Sequence, residues 1–196
     1  MLASDVQRSR VLIDSKEASA ALSDINEMVA RVRQSRIYDS ASQIMVLWGV
    51  LVCVGNLATF ISSSNGGYIF IAVNLFGAAG TAVLSTSDVR RTGVRSFDWR
   101  VATTYLLFFA FGLFCSLVLG HFGPREMGAF WPIYFMLFYC IAGLWFGRAF
   151  VAIGLGVTVL TLIGYFFIGG GTFLLWMAAV NGGGLILGGL WMRWGE

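Results

Sequence analysis

After Ser40 the chain is almost entirely six runs of about 20 apolar residues, a length that spans the ~30 Å hydrocarbon slab of a bilayer as an α-helix. The runs are Ile44 to Ile61, Gly67 to Leu84, Val101 to Leu119, Met127 to Gly147, Phe150 to Ile168 and Thr172 to Met192, and no Asp, Glu or Lys lies inside any of them. With 58% hydrophobic and 12% charged residues, against about 25% charged in an average soluble domain, a soluble globule is excluded. The expected fold is all-α: a polytopic membrane protein with six transmembrane helices arranged as three hairpins, preceded by a cytoplasmic amphipathic helix. Residues 1–40 form the tail and 41–196 the transmembrane domain.

Basic residues accumulate on the cytoplasmic side of membrane proteins. Arg8, Arg10, Lys16, Arg31, Arg33 and Arg36 precede the first run, Arg90, Arg91, Arg95 and Arg100 lie between the second and third, and Arg148 and Arg193 fall on the same side. The opposite side has only Arg125, so both termini are expected in the cytoplasm. Trp99, Trp145, Trp191 and Trp194 then mark the inner interface and Tyr68, Trp131, Tyr165 and Trp176 the outer one, where half-dry aromatic rings settle. The first ten residues are polar and carry no apolar core with a cleavage site, so no signal peptide is expected. The formal charge of +3 suits membrane lipids rather than nucleic acid, with Arg90, Arg91 and Arg95 as candidate contacts for anionic headgroups.

Residues 14 to 37 have the pattern of one amphipathic helix. Asp14 followed by Glu17 has capping-box spacing. Ala18, Leu22, Ile25, Val29 and Val32 alternate spacings of four and three, which keeps them on one stripe, and Glu27 with Arg31 is a favourable i,i+4 pair. Leu22, Ile25, Val29 and Val32 are therefore candidate partner-binding residues. The stripe requires a cover: another copy, another membrane protein, the membrane surface or the bundle itself. At about two and a half heptads it is too short to define a coiled coil alone.

Polar side chains deep in a bilayer are the first places to seek function. Asn74 and Asn181 lie near the middle of their runs and Asn56 nearer one end. With Gly182 and Gly183 they form a candidate site for a small neutral or cationic solute, the alternative being hydrogen-bonded glue between helices. Gly182-Gly183-Gly184 after Asn181 is either a helix break whose carbonyls face a cavity or a close-packing surface. Ala179, Gly184 and Gly188, and on the second run Ala78 and Ala82, are the candidate helix-packing positions.

Signals for catalysis are weak. His121 is the single histidine and sits in a loop with Pro124, Arg125 and Glu126, whereas acid–base work needs a held His or carboxylate. Ser116, Thr103 and Thr104 have no base nearby in sequence. Cys53, Cys115 and Cys140 belong to no CxxC or Cys/His cluster. The expectation is a non-enzymatic protein without catalytic residues, metal or cofactor. The rings of Phe108, Phe109, Phe111, Phe114, Phe130, Phe135 and Phe138 read as packing or lipid-facing groups.

Two short matches suggest internal repetition: Ala72-Val73-Asn74 before Gly77 and Gly80 against Ala179-Val180-Asn181 before Gly182, and Gly143-Leu144-Trp145 against Gly189-Leu190-Trp191. Three two-helix units of small and aliphatic residues in a chain of this length resemble the HdeD-like bacterial inner-membrane proteins. The resemblance covers the six runs but not the tail. It implies a bacterial inner-membrane location and a link to acid resistance, and supplies no catalytic residues. Length and helix count are also similar to the substrate-binding subunits of energy-coupling-factor vitamin transporters, which dock a partner through small residues on the first helix, where this chain has Gly49 and Cys53.

The functional expectation is a structural or regulatory scaffold whose cytoplasmic helix mediates self-association or partner docking. The alternative is a passive small-solute transporter, channel or transporter substrate-binding subunit using the Asn/Gly site.

Overall fold

The computed structural model describes the backbone of residues 2–92 and 99–194, and side chains over 17–29, 32, 35, 38–87 and 103–194. The protein is all-α. Helices α1 (Leu2–Ile61) and α2 (Gly66–Thr92) are joined by a 3₁₀ turn at Ser63–Asn65. Helix α3 (Trp99–Leu113) runs into a π-helical turn at Phe114–Leu119, and α4 (Pro124–Phe146) and α5 (Arg148–Phe167) follow. A last helical stretch comprises α6 (Thr172–Met177), a π-helical turn at Ala178–Gly183, and α7 (Gly184–Trp194). The chain divides into two compact units, Met1–Tyr38 and Asp39–Glu196.

Among the described residues, five helical stretches are long and apolar enough to cross a bilayer: Tyr38–Ile61, Ser63–Ser87, Pro124–Phe146, Arg148–Phe167 and Thr172–Trp194. Where the sequence suggests a span over Val101 to Leu119, the apolar helix described is the shorter Thr103–Leu119.

In the first unit the backbone is helical on both sides of Asp14. The expected helix start there is therefore corrected: the helix begins at Leu2, and the amides after Asp14 already have intrahelical acceptors. The side chains of Asp14 and Arg31 lie outside the described residues, so the expected cap and the Glu27–Arg31 pair do too.

In the second unit, close approach of small residues decides which helices meet. On α1 a β-carbon at Gly49 would lie 2.8 Å from the Gly182 carbonyl oxygen, and one on Gly189 of α7 would lie 2.9 Å from that of Ser42. The Ser42 hydroxyl donates to the Gly189 carbonyl at 2.7 Å. The first and last apolar helices thus touch backbone to backbone. Helix α7 meets α5 where Gly188 faces Ile153 and Gly184 faces Val157. Helix α5 meets α4 where Gly154 faces Cys140 and the Met136 carbonyl.

The outer pairs use aromatic rings. On α2, Gly77 accommodates the Trp48 ring of α1 and Gly80 the Leu47 side chain, while Trp48 Nε1 donates to Thr81 Oγ1 at 3.1 Å. On α3, Gly112 accommodates Tyr134 and Trp131 of α4. The Tyr134 hydroxyl donates to the Phe108 carbonyl at 3.0 Å, and those two rings stack with centroids 4.0 Å apart. Each described apolar helix therefore pairs with a sequence neighbour, and the first pairs with the last.

The last stretch is the most enclosed, 50% of its apolar window being buried against 11% for Ser63–Ser87. The outward faces carry large apolar side chains such as Leu75, Phe76, Leu106 and Phe111, which suits hydrocarbon contact rather than water.

The α4–α5 link needs glycine: Gly147 has φ 131°, a conformation that a β-carbon strains. Its N–H caps the Gly143 carbonyl at 3.1 Å before α5 begins at Arg148.

Gly49 and Gly156 make a clean contrast. Gly49→Ala forces a methyl against the Gly182 backbone and is expected to cost about 1–3 kcal/mol, whereas Gly156, with open space around it, gains helix propensity on the same change, about 1 kcal/mol at most. Thermal unfolding of the two variants in detergent should show a lower midpoint for the first and an unchanged or higher one for the second.

Candidate functional site

Asn181 sits within the π-helical turn at Ala178–Gly183 and is buried. Such turns hold an extra residue in the helix and recur at functional positions. Its Nδ2 donates to Met177 Sδ at 3.4 Å, and its Oδ1 accepts from Thr161 Oγ1 of α5 at 3.5 Å. Thr161 is fully buried, so the pair is a polar contact enclosed between α5 and the last helical stretch.

The other two asparagines bond to their own helices. Asn56 Nδ2 donates to the Val52 carbonyl at 2.9 Å, and Asn74 Nδ2 to the Phe70 carbonyl at 2.8 Å. Both bonds reach back one turn, the habit of polar side chains in helices without a better partner. Asn56 is buried and Asn74 half-buried. Among the described residues every buried side-chain nitrogen and oxygen has a hydrogen-bond partner.

The glycines beside Asn181 divide. A β-carbon on Gly182 would fall 2.6 Å from Cys53 Cβ and 2.8 Å from its Cα, whereas one on Gly183 would meet nothing within 4 Å. Gly182 is thus a contact point for α1, and Gly183 borders open space. Gly49 and Cys53 both face Gly182, so the small residues of the first helix are engaged inside the chain.

Of the expected packing positions, Gly184 and Gly188 face α5, but Ala78, Ala82 and Ala179 are exposed. This is a correction of face: α2 packs through Val73, Gly77, Gly80 and Thr81, and Ala78, one residue past Gly77, is rotated about 100° from it.

In the first unit, Leu22, Ile25, Val29 and Val32 are exposed, as is Met28. Arg90 and Arg91 lie on the helical backbone of α2; their side chains, and Arg95 altogether, lie outside the described residues. Cys53, Cys115 and Cys140 are free thiols, and among the described residues no three His, Cys, Asp or Glu side chains gather as a metal site would need. His121 is exposed in the loop before α4 with φ 47°.

Arg125 has a role that sequence reasoning missed, having used it only to assign sides. From the first turn of α4 its Nη2 donates to the Tyr165 carbonyl at 2.5 Å and the Ile168 carbonyl at 2.6 Å. Those are carbonyls at the C-terminal end of α5, which lack intrahelical donors and carry the negative end of the helix dipole. The guanidinium also lies 4.9 Å from the Phe173 ring centre and 5.4 Å from that of Tyr165, a cation–π arrangement. Beside it Phe173, Met177 and Ala129 form a buried cluster flanked by Tyr165, Ile168 and Trp176. One arginine thus joins α4, α5 and α6. The available signal was a lone cation at the start of one apolar run.

No family model, curated protein or solved structure matches this chain.

Arg125→Gln removes the charge and strands two carbonyls. With charge-assisted bonds worth about 1.5–3 kcal/mol, it should lower the thermal midpoint in detergent by several degrees. Arg125→Lys should recover less than half of the loss, because an ammonium lacks the planar fork and the ring stacking.

Proposed function

We propose that this chain is a non-enzymatic scaffold of the bacterial inner membrane, with six crossings arranged as three hairpins, both termini in the cytoplasm, and a tail helix through which copies or partners associate. The single observation that carries the reading is how the amides are used. Asn56 and Asn74 are bonded to their own helices and Asn181 to Met177 and to Thr161 of α5, so each amide is engaged by protein and one of the three links two helices. The sixth crossing is Thr103–Leu119 lengthened by the residues before it. Its flanking Arg90, Arg91 and Arg95 contact anionic headgroups in this topology. Three hairpins on this plan keep the likeness to HdeD-like proteins as the family reading.

A second reading, a passive pathway for a small solute, draws on one observation: Gly183 borders open space beside a π-helical turn whose Asn181–Thr161 bond is long at 3.5 Å.

The scaffold reading makes the tail stripe an association surface. Replacing Leu22, Ile25 and Val29 together by Asp is expected to reduce the mass of the purified particle by at least half in light scattering after gel filtration. An unchanged mass removes the association role. Proteoliposomes carrying the chain are expected to swell in iso-osmotic glycerol no faster than empty ones; faster swelling that Gly183→Leu abolishes would replace the scaffold reading with the solute pathway.

A further inference from the structure

The tail stripe carries more information than that it is apolar. Ala18, Leu22, Ile25, Val29 and Val32 repeat with a mean spacing of 3.5 residues, which puts Leu22 and Val29 at the a positions of a heptad and Ala18, Ile25 and Val32 at d. Leu22, Ile25, Val29 and Val32 are 61%, 52%, 60% and 56% exposed. Nothing about this pattern suits a surface at random: a 3.5-residue seam is the one that a second helix of the same period fills by knobs-into-holes packing.

The charge pattern selects the occupant. Between Lys16 and Arg33 the acids Glu17, Asp24 and Glu27 balance the bases Lys16, Arg31 and Arg33. A helix that lies on an anionic membrane has a polar face rich in Lys and Arg, usually with Trp or Phe on its apolar face; this segment has neither feature. An electrically balanced helix with an uncharged seam fits another copy of itself.

The side chains also set the number of copies. The a positions are mixed, Leu22 and Val29, but branched Ile25 and Val32 at d, where two strands prefer leucine, shift the preference towards three or four. Of the flanking positions, Ser19 and Asn26 fall at e and Ala21 and Met28 at g. None of these four is charged, the next e position, Arg33, lying just past the end of the seam, and the apolar pair at g widens the face on that side beyond what a two-stranded seam covers. A larger bundle buries the g flank as well and leaves the small polar groups at e without a charge to repel. Short length, marginal for a helix pair free in water, is offset by tethering: tails that enter the same compartment from the same membrane are parallel, level with one another and locally concentrated.

We infer that residues 18–32 from three or four copies of this chain assemble as a parallel helical bundle in register. The inference rests on the tail-and-crossings organisation proposed above.

The test is disulfide trapping of the full chain in native membranes with copper phenanthroline, the unsubstituted chain setting the background from its own three cysteines. Ile25→Cys should trap a covalent dimer, and Glu27→Cys, on the outward face, at least tenfold less. Leu22→Cys/Ile25→Cys should give a ladder reaching trimer or tetramer, because one layer links copies that the other does not. A double variant that stops at dimer overturns the copy number, and absent trapping at position 25, or equal trapping at 27, overturns the bundle. Ala18→Cys/Ile25→Cys, both at d, repeats the measurement with a seam change at a small residue. Labelling of Ile25→Cys in intact cells by a membrane-impermeant maleimide would overturn the proposed orientation instead, a result independent of the ladder.

Discussion

Backbone-to-backbone contact between the first and last apolar helices is the interaction on which the membrane-embedded unit depends. In hydrocarbon there is little hydrophobic gain from bringing helices together, since lipid tails are as apolar as leucine, so association rests on close van der Waals packing and interhelical hydrogen bonds. Gly49, Gly182 and Gly189 remove the side chains that would hold α1 away from the last helical stretch, and the gap closes far enough for Ser42 to reach a carbonyl on α7. With that contact made, the last stretch presents Gly184 and Gly188 to α5, and α5 presents Gly154 to α4. Contacts at the margins are of another kind, glycines receiving the rings of Trp48, Trp131 and Tyr134.

The polar groups follow from the same economy. A bilayer offers no water to a stranded donor, so each must be satisfied by protein. Asn56, Asn74 and Thr59 return to the carbonyl one turn earlier. Trp48, Tyr134 and Trp176 instead carry a donor across to a neighbouring helix. Aromatic residues do this well because a large apolar body fills the interface while one polar atom at the tip reaches the partner.

Much of the fold was legible because length and apolarity alone specify a membrane crossing. The apolar run beginning at Thr172 coincides with a described span to within two residues, and the run ending at Ile61 shares that end while the span starts six residues earlier, at Tyr38. The faces were less legible. Small residues every four positions mark Ala78 and Ala82 as readily as Gly77, and only the position of the Trp48 ring shows which side of α2 turns inward. Triple glycine announced that something unusual follows Asn181, but not that Gly182 meets Cys53 while Gly183 meets nothing. Arg125 was hidden for a different reason: its acceptors are main-chain carbonyls some forty residues on, and a carbonyl leaves no mark in sequence.

The arginine cap bears on the order in which the chain is put together. Arg125 is synthesised at the start of one apolar helix, and the carbonyls that hold it lie at the end of the next. Until Ile168 has emerged and α5 has turned back beside α4, the guanidinium has only water or lipid headgroups for company. The hairpin is therefore latched at its open end rather than at its Gly147 bend, and Phe173, arriving later still, closes the latch from the following helix. The full set of contacts around Arg125 is therefore complete only once the segment carrying Phe173 follows both helices of the hairpin.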